Sequence, residues 1–247
     1  MNLIKLPLNN LLIAIGFLSR IPIASWVNFD QANLRNSTYY FPVVSWLITL
    51  LLVFIYSLVS LIFPQTICII LLVLCGVLVT GALHEDGLAD FCDAVGVMGG
   101  HEKKIEAMKD SRLGSFGVIA LILAIGAKFV FLDAQSNVVV ALLVCLSLSR
   151  LFAFTFLISS QYIKTQASKS ETFVGVNRLL FIAVLSLCAI PFCFLLDWQS
   201  AGLLILVLFV LRFFLLSLFK KHVGGVNGDC MGAAQQLSEL VILLVLV

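Results

Sequence analysis

From Thr66 to Leu83 the chain runs for eighteen residues without one charged side chain, and comparable apolar runs recur along its length. A helix needs about 20 mostly apolar residues to cross the hydrocarbon core of a bilayer. Read this way, the candidate spans are 43–63, 66–83, 117–132, 137–158, 179–196 and 201–219, with a shorter one at 231–247. The expected fold is all-α: a polytopic membrane bundle of six to seven transmembrane helices, forming one integral membrane domain over 1–247. Composition agrees. The chain is 62% hydrophobic and 11% charged, against about 45–50% apolar and about 25% charged in an ordinary soluble domain. A soluble globule of 247 residues could not hide that much apolar surface, so lipid is part of its solvent.

The segment 1–42 is set apart. Its apolar stretch 8–27 is broken by Arg20 and Pro22, which argues for an interfacial or re-entrant helix rather than a simple span. The same interruption, with no stop-transfer pattern after it, argues against a cleavable signal peptide. Pro64 and Gln65 turn the first two spans into a hairpin, and Asp197 to Ser200 do the same for the fifth and sixth. Seven cysteines form no CxxC pair and sit mostly in apolar runs, where they pack as small hydrophobes. A net charge of +2 provides no field for nucleic acid, which is excluded as a partner.

Basic residues orient the bundle. Lys5, Arg20 and Arg35 precede the first span. Loop 84–116 holds Lys103, Lys104, Lys109 and Arg112, loop 159–178 holds Lys164, Lys169 and Arg178, and loop 220–230 holds Lys220 and Lys221. The alternate loops 64–65, 133–136 and 197–200 hold none. The positive-inside rule therefore puts 84–116, 159–178 and 220–230 on the cytoplasmic side, where they can converge on one site. Lys128, Arg150 and Arg212 lie inside spans and need partners there; Asp133 and Asp197 are the expected mates of Lys128 and Arg212, and Glu239 is expected to pair inward.

The chain has thirteen acidic residues, and four of them, Glu85, Asp86, Asp90 and Asp93, stand together just after the uncharged run. Asp86, Asp90 and Asp93 are spaced i, i+4, i+7. If the helix of the second span continues past Gly87, they form one stripe, with Glu85 about a hundred degrees away. Like charges at this spacing repel, and desolvation near a membrane raises the cost. A hard divalent cation removes the conflict: Mg²⁺ takes one or two carboxylates plus waters and substrate phosphates. His84 reads as a capping or orienting group as readily as a structural one. In "MKDSRLGSFG", 108–117, Lys109 and Arg112 are suited to phosphate oxygens and Asp110 accompanies them, while Glu102 and Glu106 read as a solvated face. In "HVGGVNGDCMG", 222–232, four glycines permit close approach of backbone to a ligand, and Asn227 and Asp229 offer oxygens.

Taken in order, "HEDGLADFCDA", "KDSRLGSFG" and "GGVNGDCMGA" resemble the motifs of the cobalamin synthase family, the adenosylcobinamide-GDP ribazoletransferases. "FLSRIP", "FPVVSW", "SLSR" at 147–150 and the late "QLSEL" are similar to that family too, so the resemblance runs from about residue 10 to the end. Two positions depart from its pattern: Glu85 is not a fixed family position, and Ala94 stands where glycine is common.

The resemblance implies a bacterial inner-membrane transferase with its site facing the cytoplasm, requiring Mg²⁺. A hydroxyl of α-ribazole, or of its 5′-phosphate, would attack the phosphorus attached to the cobinamide side chain of adenosylcobinamide-GDP and release GMP. On that reading Asp86 and Asp90 hold the metal, and Asp93 is either a further metal ligand or the general base. Lys109 and Arg112 neutralise the pyrophosphate, and Asp110, Asn227 and Asp229 complete the metal or nucleotide contacts. A membrane phosphotransferase of the CDP-alcohol type and a cation-coupled transporter are the competing classes. A transporter would place its acids near the bilayer midplane rather than at the boundary. A homo-oligomer is an open option.

Overall fold

The computed structural model describes residues 5–158 and 176–247. Lys164 and Lys169, counted above for orientation, lie outside the described residues. The architecture is all-helical: α1 (Lys5–Leu18), α2 (Gln31–Ser37), α3 (Phe41–Val59), α4 (Gln65–Thr80), α5 (Leu83–Gly96), α6 (His101–Lys109), α7 (Ser115–Asp133), α8 (Val138–Phe154), α9 (Arg178–Ala189), α10 (Phe192–Leu195), α11 (Trp198–Val223) and α12 (Gly228–Leu246), with three short 3₁₀ turns. Among the described residues six helical segments are long and apolar enough to cross a membrane, or seven if the bent pair α4–α5 counts as one span. The chain is an integral membrane protein by this length and composition.

The helix limits follow local rules. Pro64 starts α4, Pro191 separates α9 from α10, and Asn137, Asn177, Asp197 and Asn227 cap α8, α9, α11 and α12 through their side-chain oxygens. α1, the expected interfacial segment, is 14 residues and therefore about 21 Å long, too short for a span. It ends at Leu18 instead of reaching residue 27, because Pro22 follows and the Arg20 backbone N–H donates to the Val79 carbonyl at 2.8 Å.

α8 and α12 form the centre: 72% of the α8 window is buried, against 17% for the α9–α10 span and 22% for α11, which turn their apolar sides outward to lipid. α12 packs most closely on α5 and next on α8. Phe91 of α5 meets Phe219 of α11 edge-on at 4.9 Å.

One expectation is corrected. The second span does not continue through Gly87. It stops at Gly81 (φ 65°) and Ala82 (φ 58°), two successive left-handed residues, and α5 leaves at 85° to α4. Glycine takes that conformation freely, whereas alanine takes it at a cost that surrounding packing must offset. The carboxylate stripe thus lies on a separate helix laid across the end of the bundle.

The partners of the intramembrane cations also differ from expectation. Lys128 pairs with Glu239 at 3.0 Å and faces Glu85 at 3.9 Å, not Asp133. Five residues apart on a helix, Lys128 and Asp133 point about 140° away from each other. Arg212 donates to the Thr155 carbonyl at 3.1 Å and lies 5.0 Å from the Phe156 ring centroid. Asp197 is about 22 Å down the same helix, out of reach, and is used in capping.

Candidate active site

Three segments far apart in sequence meet at one end of the bundle: α5, the α6–α7 connection, and the start of α12. What joins α5 to α12 is the absence of side chains. A Cβ on Gly87 would fall 2.9 Å from the Asp229 carbonyl oxygen and 3.1 Å from the Gly232 Cα, and one on Gly232 would fall 3.0 Å from the Gly87 Cα. Only two glycines permit backbones this close. The crossing sets Asp229, in the first turn of α12, beside Asp86 and Asp90.

The aspartates differ in setting. Asp86 is exposed, while Asp90, Asp93 and Asp229 are half-buried. Among the described residues, no hydrogen bond engages the side chain of Asp86 or Asp90. Burial first, and then the neighbouring Asp86, Asp229 and Asp93 charges, push Asp90 up to about 7. Asp229 accepts a 3.2 Å hydrogen bond from Asn227 Nδ2.

Asp93 is occupied in another way. Its two carboxylate oxygens accept the backbone N–H groups of Gly114 and Gly117, each at 2.8 Å. It therefore serves as the N-terminal cap of α7, whose own N-cap residue, Gly114, has no side chain to offer. A Cβ at Gly114 or Gly117 would lie 2.4 or 2.5 Å from those carboxylate oxygens, so both glycines are needed for Asp93 to enter.

Asn227 likewise works as a cap, accepting from the Cys230 N–H at 2.9 Å while its amide reaches Asp229 and the Met108 sulfur. It ties α12 to α6. His101 and Lys104 of α6 reach Lys221 and His222 at the end of α11.

Lys109, the last residue of α6, and Asp110 and Arg112 of the α6–α7 connection are all exposed. Arg112 closes back onto Asp110 through Nη2 at 2.7 Å and Nε at 3.1 Å. These hydrogen bonds hold the Asp110 carboxyl down at about 2. No described contact joins this trio to the aspartates; what carries the loop toward them is Asp93, through Gly114. Glu102 and Glu106 are exposed, and no ion pair among the described residues engages them.

Beneath the site lies a group that sequence reasoning recovered only in part. Glu85 turns inward, away from the aspartate stripe, and accepts from Gln236 Nε2 at 3.0 Å. Lys128 donates to Gln236 Oε1, and Gln235 donates to Glu239 at 2.6 Å and to the Ser149 hydroxyl at 3.0 Å. Arg150 lines a small cavity together with Glu85, Lys128, Gln236 and Glu239. Glu85 and Glu239 against Lys128 and Arg150 balance in charge, the condition for burying ions away from water. The signal in the sequence was that each of these charges stood in, or just beside, an apolar run, but nothing local named the partners.

No trio of His, Cys, Asp or Glu among the described residues is arranged to hold a metal ion unaided. The donor set nevertheless fits Mg²⁺, which uses one or two carboxylates and completes its shell with water and phosphate oxygens. Asp86, exposed and without a hydrogen bond, and Asp229 beside it are hard oxygen donors whose mutual repulsion a cation would relieve.

Along nearly its whole length the chain is similar to proteins of one family. The profile of the cobalamin-5-phosphate synthase family matches residues 10–247. A protein of Shewanella piezotolerans named adenosylcobinamide-GDP ribazoletransferase is 38% identical over 245 residues, covering 97% of this chain and 95% of that protein. One of the same name from Shewanella frigidimarina is 38% identical over 97% of this chain and 94% of its own. A third, from Shewanella amazonensis, is 37% identical over 100% of this chain and 97% of its own. No solved structure matches. With nearly its whole length matched, this chain is an enzyme belonging to the cobalamin-5-phosphate synthase family.

Proposed function

We propose that this chain transfers the phosphorylated cobinamide of adenosylcobinamide-GDP to α-ribazole or its 5′-phosphate, releasing GMP. The observation that carries the reading is the convergence of Asp86, Asp90 and Asp229, from two helices more than a hundred residues apart, at one end of an otherwise apolar bundle. The names of the relatives supply the substrate of the reading. The alternation of basic loops supplies its orientation, with the site facing the cytoplasm across the bacterial inner membrane.

Asp86 and Asp229 would hold Mg²⁺. When bound, the ion supplies charge neutralisation to the pyrophosphate and to the departing GMP oxygen. Asp90 is the group placed to take the proton of the ribazole hydroxyl: it is half-buried beside Asp86 and Asp229, and no hydrogen bond among the described residues engages its carboxylate. The hydroxyl oxygen forms a new bond to the phosphorus on the cobinamide side chain. The bond to the bridging oxygen breaks, GMP leaves with that electron pair, and the proton passes to Asp90. Asp93 anchors the α7 N-terminus and thereby sets the loop bearing Lys109 and Arg112, whose cationic heads would meet the pyrophosphate. Within the Asp110–Arg112 pair, a phosphate can displace the carboxylate from an exposed guanidinium at small cost.

The test is GMP release by purified protein in lipid, with adenosylcobinamide-GDP and α-ribazole, with and without Mg²⁺. Release that needs both substrates and the ion supports the reading. Release of CMP from a CDP-linked lipid, with none of GMP, would replace it with the CDP-alcohol chemistry.

A further inference from the structure

The catalytic carboxylates open onto a cavity of about 150 Å³ that the reaction chemistry leaves unassigned. Its walls come from α1, α3, α8 and α12 and are almost wholly apolar: Phe17, Phe41 and Phe154 form an aromatic side, and Met231 joins them. The rings are mutually packed, Phe17 stacked on Phe41 at 5.2 Å and Phe41 against Phe154 at 5.5 Å, so the wall is preformed. Its polar end is made by Asp86 and Asp229, with His84. Of the residues around it, Leu83, Asp86 and Gly228 are exposed, which places the mouth beside the carboxylates.

We propose that this cavity seats the aromatic base of the acceptor nucleoside, a weakly polar fused-ring base, with its ribose at the mouth beside Asp86 and Asp229. The proposal deepens, and rests on, the transfer reaction above. Size supports it: an engineered apolar cavity of about 150 Å³ in another protein accommodates one benzene ring, and a mouth open on one side leaves room for the second ring of a fused base. Chemistry selects among the aromatic groups the reaction offers. Guanine carries donors and acceptors around its edge, and burying them against phenylalanine and methionine would leave them unpaired. A corrin ring is several times too large for the space. A benzimidazole-type base has few polar atoms and a π-face for the edge of the aromatic wall, and polarizable methionine suits the remaining wall. Seating the base there puts its sugar at the Asp86 and Asp229 end of the cavity.

Two substitutions at the mouth test this without disturbing the core. A Cβ at Gly228 meets nothing within 4 Å, so Gly228→Leu adds its side chain into open space, and Leu83→Trp enlarges a side chain already 39% exposed. Full-length protein in lipid is expected to show KM for α-ribazole raised at least about tenfold in both variants, with KM for adenosylcobinamide-GDP unchanged. Equilibrium dialysis of α-ribazole alone, without the GDP-linked donor, should show the same loss of affinity. An unchanged ribazole KM in both variants overturns the assignment, as does an equal rise in both KM values, which would mark the cavity as structural or lipid-filled. If wild type releases no GMP at all, the transfer reading fails. Dialysis still decides the cavity: ribazole bound by wild type and lost in Gly228→Leu supports it, and ribazole bound equally by both overturns it.

Discussion

Gly87 of α5 and Gly232 of α12 touch backbone to backbone, and that contact, not any bond between side chains, sets the distance between Asp86 and Asp229. Neither helix can move outward by a methyl group without separating the carboxylates. Gly87→Ala brings a Cβ within 2.9 Å of the Asp229 carbonyl oxygen, so something must shift. A displacement near 1 Å at a reacting centre costs about a hundredfold in rate. Gly87→Ala is expected to insert into the membrane normally and lose about that much GMP-release activity. Gly126→Ala, where a Cβ has open space, is expected to keep wild-type activity.

Asp93 and Asp86 should separate anchoring from chemistry. Asp93→Asn keeps one acceptor oxygen and turns an NH₂ group toward the other backbone N–H, so one of its two bonds to Gly114 and Gly117 is lost. A cost of about 1–3 kcal/mol is expected, seen as a lowered thermal midpoint in detergent together with reduced activity. Asp86→Asn should leave the midpoint unchanged or raised, because Asp86 is exposed and holds no hydrogen bond among the described residues, and should abolish turnover. A fall in midpoint for Asp86→Asn equal to that for Asp93→Asn would contradict this division.

Asp90 makes stability depend on pH in a defined direction. Its folded carboxyl titrates near 7 against 3.8 for the free group, so between those values the folded state holds a proton that the unfolded state has lost. Stability is therefore greatest below about pH 4 for this group and is lost as pH rises through 7. Without divalent ions, the thermal midpoint should fall from pH 5 to pH 8. Asp90→Asn should flatten that fall, and added Mg²⁺ should reduce it. A midpoint indifferent to pH and Mg²⁺ over this range would remove the electrostatic conflict on which the metal site is argued.

The Lys128–Glu239 pair lies buried in the span region at 3.0 Å. Removing Glu239 leaves Lys128 facing Glu85 alone at 3.9 Å and the buried group with one excess positive charge, at a cost of about 3–5 kcal/mol. Glu239→Leu alone is expected to destabilise by that order. Lys128→Met with Glu239→Leu should recover much of the loss, as read by thermal midpoints of the single and double variants.

Arg112 is 88% exposed at its side chain and forked onto Asp110, so nothing in the fold depends on it. Arg112→Lys keeps the charge and loses the fork. It is expected to leave the midpoint unchanged while raising KM for adenosylcobinamide-GDP, with KM for α-ribazole unaffected. A wild-type KM would leave Arg112 as a solvated charge.

Sequence alone was enough for the length and apolarity of individual spans. The spans at 43–63 and 137–158 answer to α3 and to α8 with its 3₁₀ extension, because length and apolarity are what lipid selects for. The spacing of Asp86, Asp90 and Asp93 survives as a stripe on α5, because it is a property of any helix through those residues.

Tertiary structure decided where that stripe goes and what each member touches. The two left-handed residues at 81 and 82 swing α5 by 85°, a bend that the apolar run before it does not announce. Asp93 finds its partners 21 and 24 residues away, and Glu85 meets Gln236 across 151. Periodicity reports which side chains share a face of one helix, but burial of charge is settled by which other helix faces it. In an apolar bundle, where van der Waals packing chooses among similar surfaces, that choice rests on close fits such as Gly87 on Gly232, which exist only once both helices are in place.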